Sequence, residues 1–214
     1  MFVPPPPHLL STSLSALERY LHTEDELPPL VRAGLIHVQF ETLHPYLDGN
    51  GRIGRLLVAL LLHHWGLLSQ PLLYLSLFLK RHREEYYRRL DAVRASGDWE
   101  GWIAFFLEGV DVIASEATET ARRLFALVSA DRERLLATPA ATVISLRLFE
   151  LLPRHPILTV TRAMKLLDAS RPAAGKAVGV LERAAILSET SGRKRNRTYS
   201  YGGYLDLLRT GTEI

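Results

Sequence analysis

The chain has no cysteine among its 214 residues, so it can hold neither a disulfide framework nor a thiolate metal site. It also lacks any long apolar run. The longest, residues 56–62, falls far short of the ~20 residues a spanning helix needs. Met1-Phe2-Val3 leads directly into four prolines, without the basic and apolar segments of a secretory leader. A Walker A sequence and a Gly-x-Ser-x-Gly elbow are both absent, and no strand pattern appears before residue 155. These absences point to a cytoplasmic, mainly α protein.

What is present is ordinary in bulk: 47% hydrophobic and 23% charged residues, the mix of a globular chain. The net charge of +3 hides an asymmetry. Residues 1–138 hold 14 Lys+Arg against 17 Asp+Glu, whereas residues 139–214 hold 12 against 6. An acidic part is followed by a basic one, which favours an anionic partner at the C-terminal end.

Residues 4–7 are read as extended polyproline, with Ser11 or Ser13 capping a helix that carries Leu14, Leu17 and Leu21. Pro28-Pro29 begins a second helix ending near residue 43. A third, residues 51–65, is apolar nearly all round and is expected to be central and buried, stopped by Gly66. Residues 76–95 read as one helix, and Asp98 caps another that continues with breaks to about residue 136. After Thr138-Pro139 the pattern changes to helices near 140–152, 159–168 and 172–185. Two short strands at 186–190 and 198–201 follow, joined by a basic tip. That order is the layout of a winged helix-turn-helix with a short β-hairpin.

Residues 44–55, His-Pro-Tyr-Leu-Asp-Gly-Asn-Gly-Arg-Ile-Gly-Arg, carry the chemistry. His44 lies where a helix gives way to a loop and is suited to act as a general base. Asp48 offers the hard oxygen that Mg²⁺ prefers alongside substrate phosphates. Gly49, Asn50 and Gly51 can turn successive N–H groups toward one point at a helix N-terminus, making an anion nest. Arg52 and Arg55 are three apart, on one helix face, and can clamp further phosphate oxygens. A lone His-Pro is usually structural, and Asp-Gly-Asn-Gly is usually a turn. Base, carboxylate, nest and two spaced arginines together make accident a poor explanation.

Other clusters read as structural. His63 and His64 are adjacent and diverge on a helix, so with His37 they make no metal site. Arg81, Arg83, Arg88 and Arg89 interleave with Glu84 and Glu85 as a solvated ion-paired face. Trp65, Trp99 and Trp102 serve packing. Arg193, Lys194, Arg195 and Arg197 form the basic tip, with Arg171 and Lys176 on the preceding helix, and together suit nucleic-acid phosphates.

The 44–55 segment resembles the signature of the Fic family, His-Pro-Phe-x-Asp/Glu-Gly-Asn-Gly/Lys-Arg-x-x-Arg, with Tyr46 in place of Phe. Phe2-Val3-Pro4-Pro5-Pro6-Pro7, Gln39-Phe40-Glu41, Tyr74-Leu75-Ser76 and Glu85-Tyr86-Tyr87 are also Fic-like, over roughly residues 1–130. The resemblance implies a Fic-type helical bundle over residues 1–138, followed by a winged-helix domain over 139–214. It implies transfer of AMP from ATP to a Ser, Thr or Tyr hydroxyl of a target protein. His44 would be the base and Asp48 the Mg²⁺ ligand. Gly49, Asn50, Gly51, Arg52, Ile53, Gly54 and Arg55 would bind ATP, joined by Tyr87 and Gln39. Gly51, where kinase-type relatives carry Lys, favours nucleotidyl over phosphoryl transfer. The family's target-docking β-hairpin flap precedes the proline stretch, and only two residues stand before Val3, so the flap is expected to be missing. The competing expectation is a non-enzymatic DNA-binding regulator whose Fic-like core only binds nucleotide or dimerises. DNA or a protein is then the partner of the winged helix, and a homodimer is left open.

Overall fold

In the computed structural model the described residues are 3–23, 26–70 and 73–209; Phe2 of the proline-stretch resemblance lies outside them. The chain divides into two compact units, Met1–Glu116 and Ala117–Ile214. The division falls inside one long helix, whereas composition placed the boundary after residue 138. Among the described residues no helix is long and apolar enough to cross a membrane.

The first unit is helical. Helix α1 (Pro7–His22) begins at a proline, with Pro6 at φ −63°, ψ 148° and no side-chain cap. The expected serine cap is therefore corrected. A proline at the first helical position already has the helical φ and gives up an N–H that would have no acceptor. The extended stretch ends at Pro6, one residue early. Helix α2 (Pro29–Leu43) starts in the same way, and α3 (Asn50–His64) follows the motif loop. The single helix expected over 76–95 is two, α4 (Leu75–Arg81) and α5 (Arg83–Ser96), broken at His82 (φ −110°, ψ 40°). Asp98 caps α6 (Trp99–Leu136), its Oδ1 accepting from the Gly101 amide at 3.1 Å, and α6 runs without the expected breaks.

Two apolar clusters hold this unit. One gathers Leu62, Leu75, Phe78, Leu90, Trp102 and Phe106, and the indole Nε1 of Trp102 donates to the Gly34 carbonyl at 2.8 Å. The other seats α1 on α2 through Leu17, Ile36, Phe40, Leu43 and Leu61. Arg32 fastens the end of α1: its Nη2 donates to the carbonyls of Tyr20 and Thr23, and the guanidinium lies 4.9 Å from the Trp65 ring centre. Helix α3 is less buried than its composition suggests. Val58, Ala59, Leu61 and Leu62 face inward, but Leu56 is 54% and Leu60 46% exposed. A helix covered on one side only leaves its opposite stripe in solvent, whatever residues occupy it.

The second unit contains the end of α6, α7 (Val143–Leu151), β1 (Ile157–Thr159), α8 (Val160–Leu167), α9 (Arg171–Arg183), β2 (Ser188–Glu189), β3 (Thr198–Ser200) and α10 (Gly202–Arg209). The antiparallel sheet has the order β1-β3-β2, with Tyr199 opposite both Leu158 and Glu189. β1 and α10 were not anticipated: a three-residue strand has no period to detect, and it gains its partners only from β3. Leu135, Leu148, Leu152, Leu167, Leu181 and Tyr201 centre the core. Thr142 and Ser145 cap α7 reciprocally.

Candidate active site

The motif loop is closed by one side chain. Asn50 is 2% exposed; its Oδ1 accepts from the Tyr46 amide at 2.9 Å, and its Nδ2 donates to the Tyr46 carbonyl at 2.6 Å. The expectation for Asn50 concerned its backbone N–H in the anion nest; its side chain shapes the loop that presents that amide. Tyr46 stays half exposed with its ring 6.5 Å from Phe40. His44 ends α2 in the left-handed region (φ 48°, ψ 55°), its amide donating to the Phe40 carbonyl at 2.9 Å.

Gly49 then turns at φ 85°, ψ 2°, and the first bond of α3 runs from the Ile53 amide to the Gly49 carbonyl at 3.0 Å. The amides of Asn50, Gly51 and Arg52 precede that bond and take no partner among the described residues. Three free N–H groups at the start of a helix, after a left-handed glycine, form an anion cradle. Asp48 and Arg52 flank it as an exposed pair at 3.2 Å. Arg55 is half-buried and donates from Nε to the Ser76 hydroxyl at 2.9 Å.

The remaining predicted residues fall in different places. Gly54 is buried against α2: a methyl there would stand 2.7 Å from Glu41 Oε1 and 3.2 Å from Phe40. Its role is close helix packing. Ile53 is 37% exposed on α3. Tyr87 is half exposed on α5, its ring 5.3 Å from Tyr86 and 5.7 Å from the Arg83 guanidinium. Gln39 is not brought to the cradle. Two residues from both His37 and Glu41, it lies on the opposite side of α2 and lines a groove with Ser13, Leu17, Tyr20 and Trp99.

Behind the loop lies a polar cluster that was not read as a unit from sequence. His37, Glu41 and His44 repeat along one face of α2. His37 is fully buried, hydrogen-bonded at 3.0 Å to the Tyr86 hydroxyl, and burial lowers its pKa to about 4. Burial also raises the Glu41 carboxyl above its usual range, against the charges of His44, Arg55 and Arg94. Among the described residues Glu41 Oε1 has no hydrogen-bond partner, while Arg94 donates to the Glu41 carbonyl at 3.0 Å. Tyr86 is raised by burial and by Glu41. The spacing 37, 41, 44 was the available signal.

Among the described residues no group of three or more His, Asp or Glu side chains is placed to hold a metal ion. His63 Nδ1 lies 2.8 Å from the Leu68 carbonyl. One exposed carboxylate, Asp48, beside free amides and two arginines still fits Mg²⁺, which takes one or two protein carboxylates and completes its shell with phosphates and water.

The first unit thus combines an anion cradle at the start of α3 with a histidine at the end of α2. Residues 1–62 match the model of the Fic/DOC family. The chain is 33% identical over 89 residues to a probable protein adenylyltransferase of Aquifex aeolicus, a match covering 42% of this chain and 25% of that protein. It is 33% identical over 108 residues to the protein adenylyltransferase Fic of Culex quinquefasciatus, covering 50% of this chain and 20% of that one. The chain thus spans a fifth to a quarter of these relatives. The crystal structure of a Fic family protein from Desulfovibrio desulfuricans aligns with a TM-score of 0.55 at 24% identity, over 92% of this chain and 56% of that one, and shows the fold.

Proposed function

We propose that this chain is a protein adenylyltransferase, moving AMP from ATP to a hydroxyl of a target protein. The observation that carries the reading is the left-handed Gly49 turn presenting three unpartnered amides between Asp48 and Arg52, with His44 closing the preceding helix. The triphosphate would lie on those amides, with Arg52 and Arg55 opposing its charge. Asp48 would hold Mg²⁺, which supplies charge neutralisation at the phosphates when bound. His44 takes the proton of the target hydroxyl. The hydroxyl oxygen bonds to the α-phosphorus as the bond to the pyrophosphate leaving group breaks, giving AMP-protein and pyrophosphate. Positioning and charge supply most of the acceleration, since phosphoryl-type centres need little covalent help from protein. Tyr87 is assigned to the nucleotide-site wall; Gln39, across α2, is left out of it.

In the same reading residues 139–214 are a winged-helix domain. The order α7, β1, α8, α9, β2, β3 supports it, as does a sheet in which the hairpin pairs beside β1. A cytoplasmic location follows from the substrate, ATP. Incubation with Mg²⁺ and ATP labelled at the α-phosphate should label the protein itself or a target, and γ-labelled ATP should not. His44→Ala should abolish incorporation. Label persisting in that variant, or transferred from the γ position, would overturn the assignment.

A further inference from the structure

The basic hairpin is not used by the adenylyl-transfer reading, and it borders a cavity. Arg171, Lys194, Arg195, Arg197, Thr159 and Tyr199 line a space of about 390 Å³ in the second unit. None of those four cations is ion-paired with a carboxylate among the described residues. Arg81, Arg88, Arg89 and Arg94 of the first unit, by contrast, all are. The hairpin's own carboxylate, Glu189, is taken up by the Ser191 amide and hydroxyl and the Gly192 amide. That shapes the tip and leaves its cations exposed, with Arg197 also donating from Nε to the Arg193 carbonyl at 3.2 Å and adding, after the Ser191 and Gly192 bonds, to the lowering of the Glu189 carboxyl. The starts of α8 and α9, capped by Thr159 and Ser170, meet the same cavity, so two helix dipoles add to the positive charge.

Beside the cavity, α9 carries two glycines that the fold does not require. A methyl at Gly175 would find nothing nearer than Val160 at 4.0 Å, and one at Gly179 nothing nearer than Arg183 at 3.6 Å. Both are ordinary contacts, and glycine inside a helix lowers its stability relative to alanine. With exposed Pro172, these glycines keep the middle of the open face of α9 low, between exposed Arg171 on one side and Lys176 and Arg183 on the other, with one exposed carboxylate, Glu182, toward its C-terminal end. A low helix face flanked by cations admits close approach of a large surface.

We propose that this unit docks duplex nucleic acid, with α9 lying in a groove and a backbone phosphate seated in the cavity between Arg171 and the hairpin. A major groove admits one α-helix, and the spread of cations from α9 to the hairpin matches phosphates on either side of it. A lone phosphate or phosphopeptide would need the cavity but not the bare helix face. Single strands favour aromatic platforms, whereas the aromatic of this cavity, Tyr199, is 7% exposed.

The test is fluorescence anisotropy of the full chain with a mixed-sequence duplex of about two helical turns, alongside the matching single strand and a phosphoserine peptide. Three or four phosphate contacts predict a fall in affinity of roughly 40–150-fold between 50 and 200 mM salt. Arg195→Ala/Arg197→Ala should reduce the log–log salt slope by about two. Gly175→Gln/Gly179→Gln should weaken binding about tenfold or more with the slope unchanged and Tm not lowered, a split that misfolding would not produce. His44→Ala should bind duplex like the parent, so this inference and the catalytic one fail separately. Absence of duplex binding at 50 mM salt, equal binding of single strand or phosphopeptide, or indifference to the glycine changes would each overturn it.

Discussion

The imidazole of His37 and the phenol of Tyr86 are hydrogen-bonded at 3.0 Å inside the helical unit, and both side chains are buried. They join α2 to α5 directly behind the motif loop. The pair ties the acid stability of this unit to a buried histidine.

Burial holds His37 at about 4, against 6.5 for the free side chain. Between those values the unfolded chain binds a proton there that the folded chain does not. Stability is therefore intact above pH 6.5 and falls as the pH drops toward 4. The whole displacement corresponds to about 3 kcal/mol. Glu41 has the opposite sign: its raised carboxyl binds a proton more readily in the folded state, a contribution lost as pH rises through that folded value. His37→Gln should flatten the acid limb of Tm measured from pH 7 to 4.5. An unchanged limb would refute the assignment.

Gly54→Ala should destabilise the first unit. Alanine is the better helix former, but its methyl would meet Glu41 Oε1 at 2.7 Å and His37 at 3.3 Å. Overpacking of this kind costs about 1–3 kcal/mol and outweighs the propensity gain. Urea unfolding should show the loss, and a midpoint equal to or above the parent's would contradict it.

Asn50→Ala removes both hydrogen bonds to Tyr46 and leaves that backbone to find other partners. About 1–3 kcal/mol of stability should go with them. Nucleotide affinity, followed by calorimetry with Mg-ATP, should fall at least tenfold because the cradle amides lose their anchor. Arg52→Ala is the contrast: its pair with Asp48 is solvent-exposed, so affinity should drop while Tm stays put.

In the second unit the Tyr201 hydroxyl donates to buried Asp131 at 2.7 Å, and Arg134 pairs with the same carboxylate. Tyr201→Phe should cost about 1–3 kcal/mol by leaving part of a buried carboxylate unmet. A thermal scan showing no change would place the energy of that contact elsewhere.

Local signals were readable in the sequence, and pairings across the chain were not. Pro28-Pro29 and Gly66 bracket α2 and α3 as expected because proline and glycine act within a turn of themselves. The break at His82 has no such marker, and neither does β1, which exists because β3 lies beside it. The motif loop stood out as a candidate site through residue types at fixed spacing. The support beneath it did not: Ser76 reaches Arg55 across 21 residues, and Tyr86 reaches His37 across 49. Gln39, assigned to the nucleotide site by the family resemblance, lines a groove on the other side of α2, because two residues along a helix reverse direction.

Gly49, at φ 85° and ψ 2°, sits where the mirror-image amino acids are at ease. L-alanine there would be strained by about 1–2 kcal/mol, while D-alanine, introduced by chemical ligation, would adopt the same angles without strain. It would also narrow the freedom of the unfolded chain. At this one position the demand on the cradle concerns chirality, and no side-chain chemistry enters it.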